Sequence, residues 1–206
     1  NPVGLHRQLL GLGVFTALRL RAAGLPNFGG KGDARHVAAE LENGVMIHNC
    51  YVPAGGDEAD RKVNEKFGHK LDFMAEIRDR FAADRPSKAI LVGDLNIAPR
   101  EDDVWNHKGL LKVVSHTPIE TELFEDARAA GRWADVTRQD VPAGPLYSWW
   151  SYRSPDWDSA DKGRRLDHIW ASADLAGAAH SSRILRAARG WTQPSDHAPV
   201  LATFDL

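Results

Sequence analysis

A long apolar stripe near the middle of the chain is the feature that most constrains its fold. Between residues 63 and 81 the apolar side chains recur at steps of three and four, as on one face of an amphipathic helix: Val63, Phe67, Leu71, Met74, Ile77 and Phe81. Pro86 predicts where this helix ends. The apolar run Ala89 to Val92 follows and suits a buried strand. Because strand-like segments lie on both sides of the helix, the sequence predicts a mixed α/β sandwich.

The strand-like segments are apolar or β-branched runs bounded by turn-forming residues. Val37 to Leu41 and Val45 to Val52 are separated by Asn43-Gly44, which predicts a β-hairpin because both turn residues tolerate positive φ. The later predicted elements are strands at Tyr147 to Tyr152, Leu166 to Ala171 and Val200 to Phe204, and a helix at Glu122 to Ala130 that ends at Gly131.

The composition limits the class of protein. A chain of 206 residues with 43% apolar and 26% charged residues suits one soluble globular domain. The formal net charge of −2 excludes a strong overall basic field, so binding to nucleic acid would need a local basic patch. Cys50 is the only cysteine, which excludes an intrachain disulfide and fits the reducing cytoplasm.

An apolar run from Leu9 to Leu18 has arginines on both sides. It is too short to span a bilayer, so we expect no association with a membrane. Ala22-Ala23 gives the segment a faint likeness to a signal peptide, but an amphipathic or buried segment is the favoured interpretation.

Polar side chains follow the predicted strand Ala89 to Val92. Asp94 and Asn96 stand two residues apart, so both can point to the same side if the backbone stays extended. A carboxylate beside an amide suits a hard cation or a phosphate oxygen. For this segment taken alone a turn is the favoured interpretation, because Gly-Asp and Asn are common turn formers.

Two further polar clusters interrupt or precede predicted strands. Asp167 lies within a strand-like segment, where a buried carboxylate needs a partner such as His or Arg, and an outward position on an edge strand is the open alternative. Asp196 and His197 come just before the strand that begins at Val200. A histidine there can bind a phosphate oxygen or move a proton near neutral pH.

Two further features are compatible with contacts to phosphate. Tyr51 lies at the end of the predicted strand Val45 to Val52, and its phenol could hydrogen-bond a phosphate, although a tyrosine of the core or rim is the favoured interpretation of this residue alone. The basic run Lys162, Arg164 and Arg165 could meet DNA phosphates or could lie on a solvated loop.

Five segments together carry a family resemblance: Asn49-Cys50-Tyr51-Val52-Pro53, Gly93-Asp94-Leu95-Asn96-Ile97-Ala98-Pro99, Tyr147-Ser148-Trp149-Trp150, Arg165-Leu166-Asp167-His168 and Ser195-Asp196-His197-Ala198-Pro199. In this order and spacing they closely resemble the exonuclease III family, within the endonuclease/exonuclease/phosphatase superfamily. The Gly-Asp-x-Asn and Ser-Asp-His-x-Pro motifs mark the superfamily. The Tyr-x-Trp-Trp segment and a Gly-Leu-Pro segment that starts at Gly24 narrow the resemblance to its DNA-repair branch.

The resemblance implies a DNase I-like fold, a four-layer α/β/β/α sandwich with the active site at one end of its two sheets. It implies one endonuclease/exonuclease/phosphatase domain over residues 24–206, after an atypical N-terminal segment of residues 1–23. The family's opening Asn motif and its Gln-Glu pair, whose Glu is the principal metal ligand, have no match before Gly24, where the sequence contains no Asp or Glu. We therefore expect this chain to lack the family's first strands, to bind Mg²⁺ weakly, to have little activity alone and to aggregate.

The resemblance also implies roles for individual residues. The implied catalytic residues are Tyr51, Asp94, Asp167 and His197, among which Asp94 transfers a proton and Asp167 orients His197. The implied metal ligands are Asp94, Asn96, Asp196 and His197, for Mg²⁺ with Mn²⁺ as the alternative. The implied DNA contacts are Arg35, Trp149, Trp150 and Arg165, with the two tryptophans near the gap of an abasic site.

The implied function is that of a Mg²⁺-dependent DNA-repair nuclease, an exodeoxyribonuclease III with abasic-site endonuclease activity. Its substrate would be double-stranded DNA with abasic sites or 3′ ends, and we expect a cytoplasmic monomer. One alternative is another phosphodiesterase or phosphatase of the superfamily, against which Trp149-Trp150 argues because an enzyme of small substrates needs no aromatic wedge. A catalytically impaired DNA-binding fragment is the other alternative.

Overall fold

The computed structural model describes residues 19–24 and 34–206, and within them ten strands and five α-helices are found. The strands are β1 (Leu20–Gly24), β2 (His36–Leu41), β3 (Met46–Cys50), β4 (Ala89–Asp94), β5 (Ala134–Asp135), β6 (Trp149–Trp150), β7 (Gly163–Arg164), β8 (Asp167–Ala171), β9 (Ala179–Ile184) and β10 (Val200–Phe204). The helices are α1 (Glu65–Ala83), α2 (His107–Leu110), α3 (Pro118–Ala130), α4 (Val136–Asp140) and α5 (Trp157–Ala160). The predicted apolar run Leu9 to Leu18 and most of the segment 1–23 lie outside the described residues.

Six strands form the main sheet, in the order β1-β2-β3-β4-β8-β5. The β3–β4 pair is parallel and the other neighbours are antiparallel. β2 and β3 form the hairpin predicted at Asn43-Gly44, and Gly44 has a φ of 82°, which glycine adopts without steric cost. The pairs β9–β10 and β6–β7 form two smaller antiparallel sheets. The predicted mixture of a long central helix with flanking strands is therefore confirmed.

Helix α1 confirms the predicted apolar stripe, apart from its first residue. The helix begins at Glu65 because the side chain of Asn64 accepts a hydrogen bond from the Lys66 amide and caps the N-terminus. Val63 lies before the helix and is 74% exposed. Met74, Ile77 and Phe81 pack with α3 against one face of the main sheet, and Phe67 and Leu71 pack in a smaller cluster with Val114. In the two described ranges no helix has both the length and the apolar character needed to span a membrane.

Two predicted elements differ most from the structure in their extent. Helix α3 begins at Pro118 instead of Glu122, because Thr117 and Glu120 form a capping box that satisfies the first amides of the helix. The predicted strand Tyr147 to Tyr152 is shorter than expected, since only its two central residues pair with β7.

Side chains alternate between the two faces of the central strands, as the twofold period of a strand requires. Leu91 and Trp170 belong to the core beneath α1 and α3. Val92 and Ile169 belong to the core on the opposite face, against which β10 packs. Because Asp94 stands two residues after Val92, it lies on the β10 face as well. The polar end of β4 is thereby placed beside the segment that leads into β10.

Candidate active site

Asp94 and Asp167 lie side by side at the ends of two neighbouring strands. Asp94 is the last residue of β4, Asp167 is the first residue of β8, and the two are partners in the antiparallel register. Residues opposite one another in such a pair point to the same face of the sheet. That face is the one on which β10 packs, and His197 lies three residues before β10 begins at Val200. The topology therefore brings two carboxylates and one imidazole together.

Asp167 fixes the orientation of the His197 ring. Its Oδ2 lies 2.8 Å from Nδ1 of His197. The same carboxylate oxygen accepts a hydrogen bond of 2.7 Å from the Ser148 hydroxyl, whose oxygen accepts the amides of Leu166 and Asp167 at 3.0 Å each. With Nδ1 held in this way, Nε2 of His197 lies 3.9 Å from Oδ2 of Asp94. The imidazole therefore presents one nitrogen to the cleft while the other is anchored.

A tight turn after β4 places the Asn96 amide against the Asp94 carboxylate. Asn96 has a φ of 53°, a left-handed conformation that asparagine tolerates. Its backbone N–H donates to Oδ1 of Asp94 at 2.9 Å, and its side-chain amide donates to Oδ2 at 3.0 Å and to the Val52 carbonyl at 2.9 Å. Gly93 is required before this turn, because its φ is 137° and a Cβ there would collide with the Cys50 carbonyl oxygen. The segment is thus both a turn and part of the polar cluster.

Asp94 and His197 both have pKa values well above the ordinary values of their side chains. Burial, together with the charge of Asp167, raises the pKa of Asp94 to about 7. Burial alone would lower the pKa of His197, but its hydrogen bond with Asp167 and the charges of Asp167, Asp94 and Asp196 raise it to about 9. Near neutral pH the cluster therefore holds a protonated imidazole beside a carboxyl group that can exchange a proton.

The same cluster could hold a metal ion. Ligand atoms of Asp94, Asp167 and His197 all lie within 4.8 Å of one another. Two carboxylates this close repel each other, which contributes to the raised pKa of Asp94, and a divalent cation would relieve that repulsion. Asn96 and Asp196 line the same cleft and offer the oxygen atoms that hard cations prefer. The residues present therefore fit a divalent cation.

Asp196 is tied to the short strand β6. Nε1 of Trp149 donates to Oδ2 of Asp196 at 2.9 Å. The backbones are joined as well, since the Trp150 N–H donates to the Asp196 carbonyl at 2.9 Å and the Ala198 N–H donates to the Ser148 carbonyl at 2.7 Å. The position of the Ser-Asp-His segment is thus set by β6.

Asp94, Asn96, Asp196 and His197 line one open cleft of about 790 Å³, while Asp167 lies behind His197 and does not line it. Tyr51 lies on its wall, and the Arg35 guanidinium lies 5.0 Å from the centre of the Tyr51 ring. Further aromatic and basic residues that line the cleft are Trp105, Trp149, Tyr152, Arg153, Lys162 and Arg164. Positive charge and aromatic surface therefore face the cluster although the net charge of the chain is −2.

The prediction that Arg165 contacts DNA is wrong, because this side chain is completely buried. Its guanidinium donates two hydrogen bonds to Asp103, at 2.7 and 2.9 Å, and one to Asp135 at 2.8 Å. Arg164, the preceding residue, faces the cleft. The basic run was a correct signal of charge near the site, but the alternation of side chains along the chain assigns the open position to the neighbour.

Of the two tryptophans that we expected to contact DNA, only one lies on the cleft. Trp149 lines the cleft. Trp150 is 2% exposed, and its Nε1 donates to Asp161 at 2.9 Å. Trp150 therefore stabilises the wall of the cleft from inside and does not reach a ligand in it.

A role for Lys70 at the site was not expected from the sequence, yet this residue connects helices α1 and α3 to the turn that holds Asn96. Its ammonium is inaccessible to solvent, donates to the Asn96 carbonyl at 2.8 Å and pairs with Glu120. A signal was present in the sequence, because Lys70 falls three residues after Phe67 and four before Met74. A lysine within a buried stripe needs a partner, since an unpaired buried charge is costly.

The sequence matches the model of the Endonuclease/Exonuclease/phosphatase family over residues 68–197. Exodeoxyribonuclease III of Haemophilus influenzae is 29% identical over 192 residues, which cover 88% of this chain and 70% of that protein. DNA repair nuclease APEX1 of Danio rerio is 35% identical over 169 residues, which cover 82% of this chain and 51% of that protein. The chain therefore spans between about half and about 70% of the length of these relatives.

A solved structure with a similar fold is that of the 3′ phosphatase NExo from Neisseria bound to product DNA hairpin. It is 30% identical, has a TM-score of 0.82, and the match covers 92% of this chain and 72% of that chain. This likeness confirms the predicted DNase I-like α/β sandwich.

Proposed function

The chain belongs to the endonuclease/exonuclease/phosphatase family, in its exonuclease III and AP endonuclease group of DNA-repair nucleases, and we propose that it cuts double-stranded DNA at abasic sites and 3′ ends with Mg²⁺ as its cofactor. The observation that supports this proposal most is the geometry of one triad. Asp167 anchors His197 at 2.8 Å, and the free Nε2 of His197 lies 3.9 Å from Asp94 within an open cleft. Such a triad supplies what hydrolysis of a phosphodiester requires.

His197 and Asp94 are the groups that we assign to charge and proton chemistry. Water attacks the phosphorus, the bond to the leaving oxygen breaks, and protons move from the water and to the leaving oxygen. A group with a pKa of about 7, as in Asp94, can take up or release a proton near neutral pH. Protonated His197 can donate a hydrogen bond from Nε2 to a phosphate oxygen and stabilise the charge that develops there.

Asp167 and Asn96 act on these two groups. Asp167 holds Nδ1 of His197 in the protonated state, so the ring keeps one orientation. Asn96 donates to both oxygens of Asp94 and limits the rotation of that carboxylate. Tyr51 lies on the same cleft, where its phenol can hydrogen-bond a phosphate oxygen.

Asp94, Asn96 and Asp196 would hold the Mg²⁺ ion, with Mn²⁺ as an alternative. The resemblance also implied His197 as a ligand, but a protonated imidazole has no lone pair to offer a metal ion, so we assign His197 to the phosphate instead. When bound, such an ion neutralises phosphate charge and lowers the pKa of a coordinated water. In this proposal Arg35, Trp149 and Arg164 contact the DNA strand beside it, and the protein acts as a monomer in the cytoplasm.

A second candidate activity is removal of a phosphate from a DNA 3′ end. The relative that is 30% identical is described as a 3′ phosphatase bound to product DNA hairpin. A terminal phosphate presents the same oxygens to the cluster as a phosphodiester does, so Asp94 and His197 would keep their roles. The remaining alternative is a catalytically impaired DNA-binding fragment.

Incubation with defined duplexes separates these activities. One duplex carries a central abasic site and the other a recessed 3′ phosphate, each with Mg²⁺ and with EDTA, and the His197→Ala variant is the control. We expect weak Mg²⁺-dependent incision of the abasic duplex, which the variant lacks. Loss of the 3′ phosphate without incision would favour the phosphatase. A gel shift with the abasic duplex but no product with Mg²⁺ would identify a DNA-binding fragment.

A further inference from the structure

Trp105 is a large aromatic side chain that the fold leaves open to the cleft. It lines the cleft that holds the proposed catalytic groups and is 41% exposed. The ammonium of Lys162 lies 5.1 Å from the centre of its ring. Neither residue lies in the motifs that carry the family resemblance, and the chemistry described above uses neither of them.

The backbone beneath Trp105 is held firmly. Its N–H donates to the Gly163 carbonyl at 3.1 Å, and two residues earlier the Asp103 carbonyl accepts the Arg165 N–H at 2.8 Å. The Asp103 carboxylate is fully buried and forms ion pairs with Arg165 and Arg138. Because the backbone is already fixed, only the rotamers of the Trp105 side chain remain to be ordered when a ligand covers it, which favours binding.

A second aromatic ring beside a cation lies in the same cleft. The Arg164 guanidinium lies 5.4 Å from the centre of the Trp149 ring and donates to the Ser115 hydroxyl at 2.8 Å. Arg164 lies on β7, and Lys162 immediately precedes this strand. The cleft therefore offers two aromatic surfaces, each with a cation beside it. This arrangement is complementary to a nucleic acid strand, in which flat bases alternate with negatively charged phosphates.

We propose that Trp105 and Lys162 form a stacking position for an unpaired nucleobase of the bound DNA strand. The ring of Trp105 stacks on the base, and the ammonium of Lys162 neutralises the adjacent phosphate. This inference rests on the proposed function, because it adds a substrate contact to the same cleft. Since every base has a flat aromatic face, the position adds affinity for single-stranded ends without sequence preference.

Binding of two labelled oligomers in EDTA tests the proposal without any cleavage. One oligomer is a thymidine octamer, and the other has the same length and phosphate charge but carries no bases. Affinities are measured by fluorescence anisotropy for the wild type, Trp105→Ala, Trp105→Phe and Lys162→Met. Trp191→Ala is the matched control, because Trp191 is 60% exposed and lies elsewhere on the described surface.

We expect the wild type to prefer the thymidine octamer. Trp105→Ala should weaken binding of that octamer about fivefold to a hundredfold and leave the baseless oligomer unchanged. Trp105→Phe should retain most of the affinity, Lys162→Met should weaken both oligomers, and Trp191→Ala should change neither. The inference is overturned if Trp105→Ala weakens the binding of both oligomers equally. It is also overturned if the wild type binds the thymidine octamer no more tightly than the baseless oligomer.

The abasic-duplex assay keeps this inference separate from the proposed function. A protein that cuts the duplex but shows no Trp105-dependent preference for bases refutes only the stacking position. A protein that shows the preference but cuts neither duplex refutes only the proposed nuclease activity.

Discussion

The ammonium of Lys70 lies 2.5 Å from the carboxylate of Glu120, and neither side chain is accessible to solvent. Lys70 comes from α1 and also donates to the Asn96 carbonyl at 2.8 Å. Glu120 comes from the first turn of α3 and also accepts the amides of Ser115 and Thr117, at 2.9 and 3.1 Å. One buried ion pair therefore joins the two helices, the turn after β4 and the loop before α3. Burial lowers the pKa of Lys70.

Replacing one member of this pair should be more harmful than replacing both. Lys70→Met leaves the Glu120 carboxylate buried without its cation, so we expect the free energy of unfolding to fall by about 3–5 kcal/mol. Lys70→Met combined with Glu120→Gln should cost less than Lys70→Met alone, because a neutral amide can still accept the Ser115 amide hydrogen. Urea denaturation at pH 7 measures all three proteins.

The matched control for that prediction is an exposed pair that joins the same helix, through Asp72, to the segment just before it. Arg61 and Asp72 lie 3.0 Å apart with side chains more than half exposed, and Arg61→Met should change the free energy of unfolding by less than about 1 kcal/mol. If Lys70→Met is as mild as Arg61→Met, the buried pair does not stabilise the junction that we assign to it.

The second prediction concerns the catalytic assignments. His197→Ala and Asp94→Asn should each lower cleavage of abasic DNA by a factor on the order of a hundred or more, while each variant keeps a cooperative urea unfolding transition. Each change removes a group assigned to proton transfer or phosphate charge, and both groups are part-exposed. His180→Ala is the control, since His180 is half-exposed at the start of β9. Near-normal turnover by either variant would refute its assignment.

The positions of the polar residues at strand ends could be predicted, because each borders an apolar run. Asp94 ends a strand of four apolar residues and a glycine, and Asp167 begins another. That the two are register partners could not be predicted, because pairing depends on contacts distant in sequence. The motifs of the family resemblance, and not periodicity, placed His197 with them.

The sequence did not allow us to predict which individual polar and aromatic residues are buried. Arg165 and Trp150 have neighbours of the same chemical type, Arg164 and Trp149, and a one-residue shift exchanges the open and buried positions. Lys70 was hidden for a different reason, because its partner Glu120 lies on another helix. Contacts of this kind exist only once the helices have packed.

The third prediction is a loss of stability in weak acid. Burial, with the positive charge of Arg80, lowers the pKa of His48 to about 4, and burial lowers that of His168 to about 4 as well. Between pH 6.5 and 4 the unfolded chain binds a proton that each folded histidine does not. The free energy of unfolding therefore falls as pH is lowered through this window, by about 1.4 kcal/mol per pH unit for each histidine, and neither contributes above it.

His48→Gln isolates one of these contributions. The variant cannot gain that proton, so its free energy of unfolding, measured by urea denaturation at pH 6 and 5, should fall less steeply than that of the wild type. The difference in slope should be about 1.4 kcal/mol per pH unit, and the two slopes should coincide above pH 7. Parallel curves across the whole range would mean that folding does not change the pKa of His48.

The last prediction concerns the metal and the hydrogen bond between Nε1 of Trp149 and Asp196. Trp149→Phe keeps an aromatic ring but removes the donor that holds Oδ2 of Asp196 at 2.9 Å. Groups that orient a metal ligand typically change metal affinity by about 10- to 100-fold, so we expect Mg²⁺ binding, measured by calorimetry, to weaken by at least about tenfold. Trp191→Phe, a change on the exposed surface, should leave the Mg²⁺ affinity unaltered.

The Asp196 carbonyl is also held by the Trp150 N–H, and this backbone contact survives the substitution. Unchanged Mg²⁺ affinity in Trp149→Phe would therefore show that the backbone alone positions Asp196, or that Asp196 is not a ligand; Asp196→Asn distinguishes the two, because only a ligand loses affinity when its charge is removed.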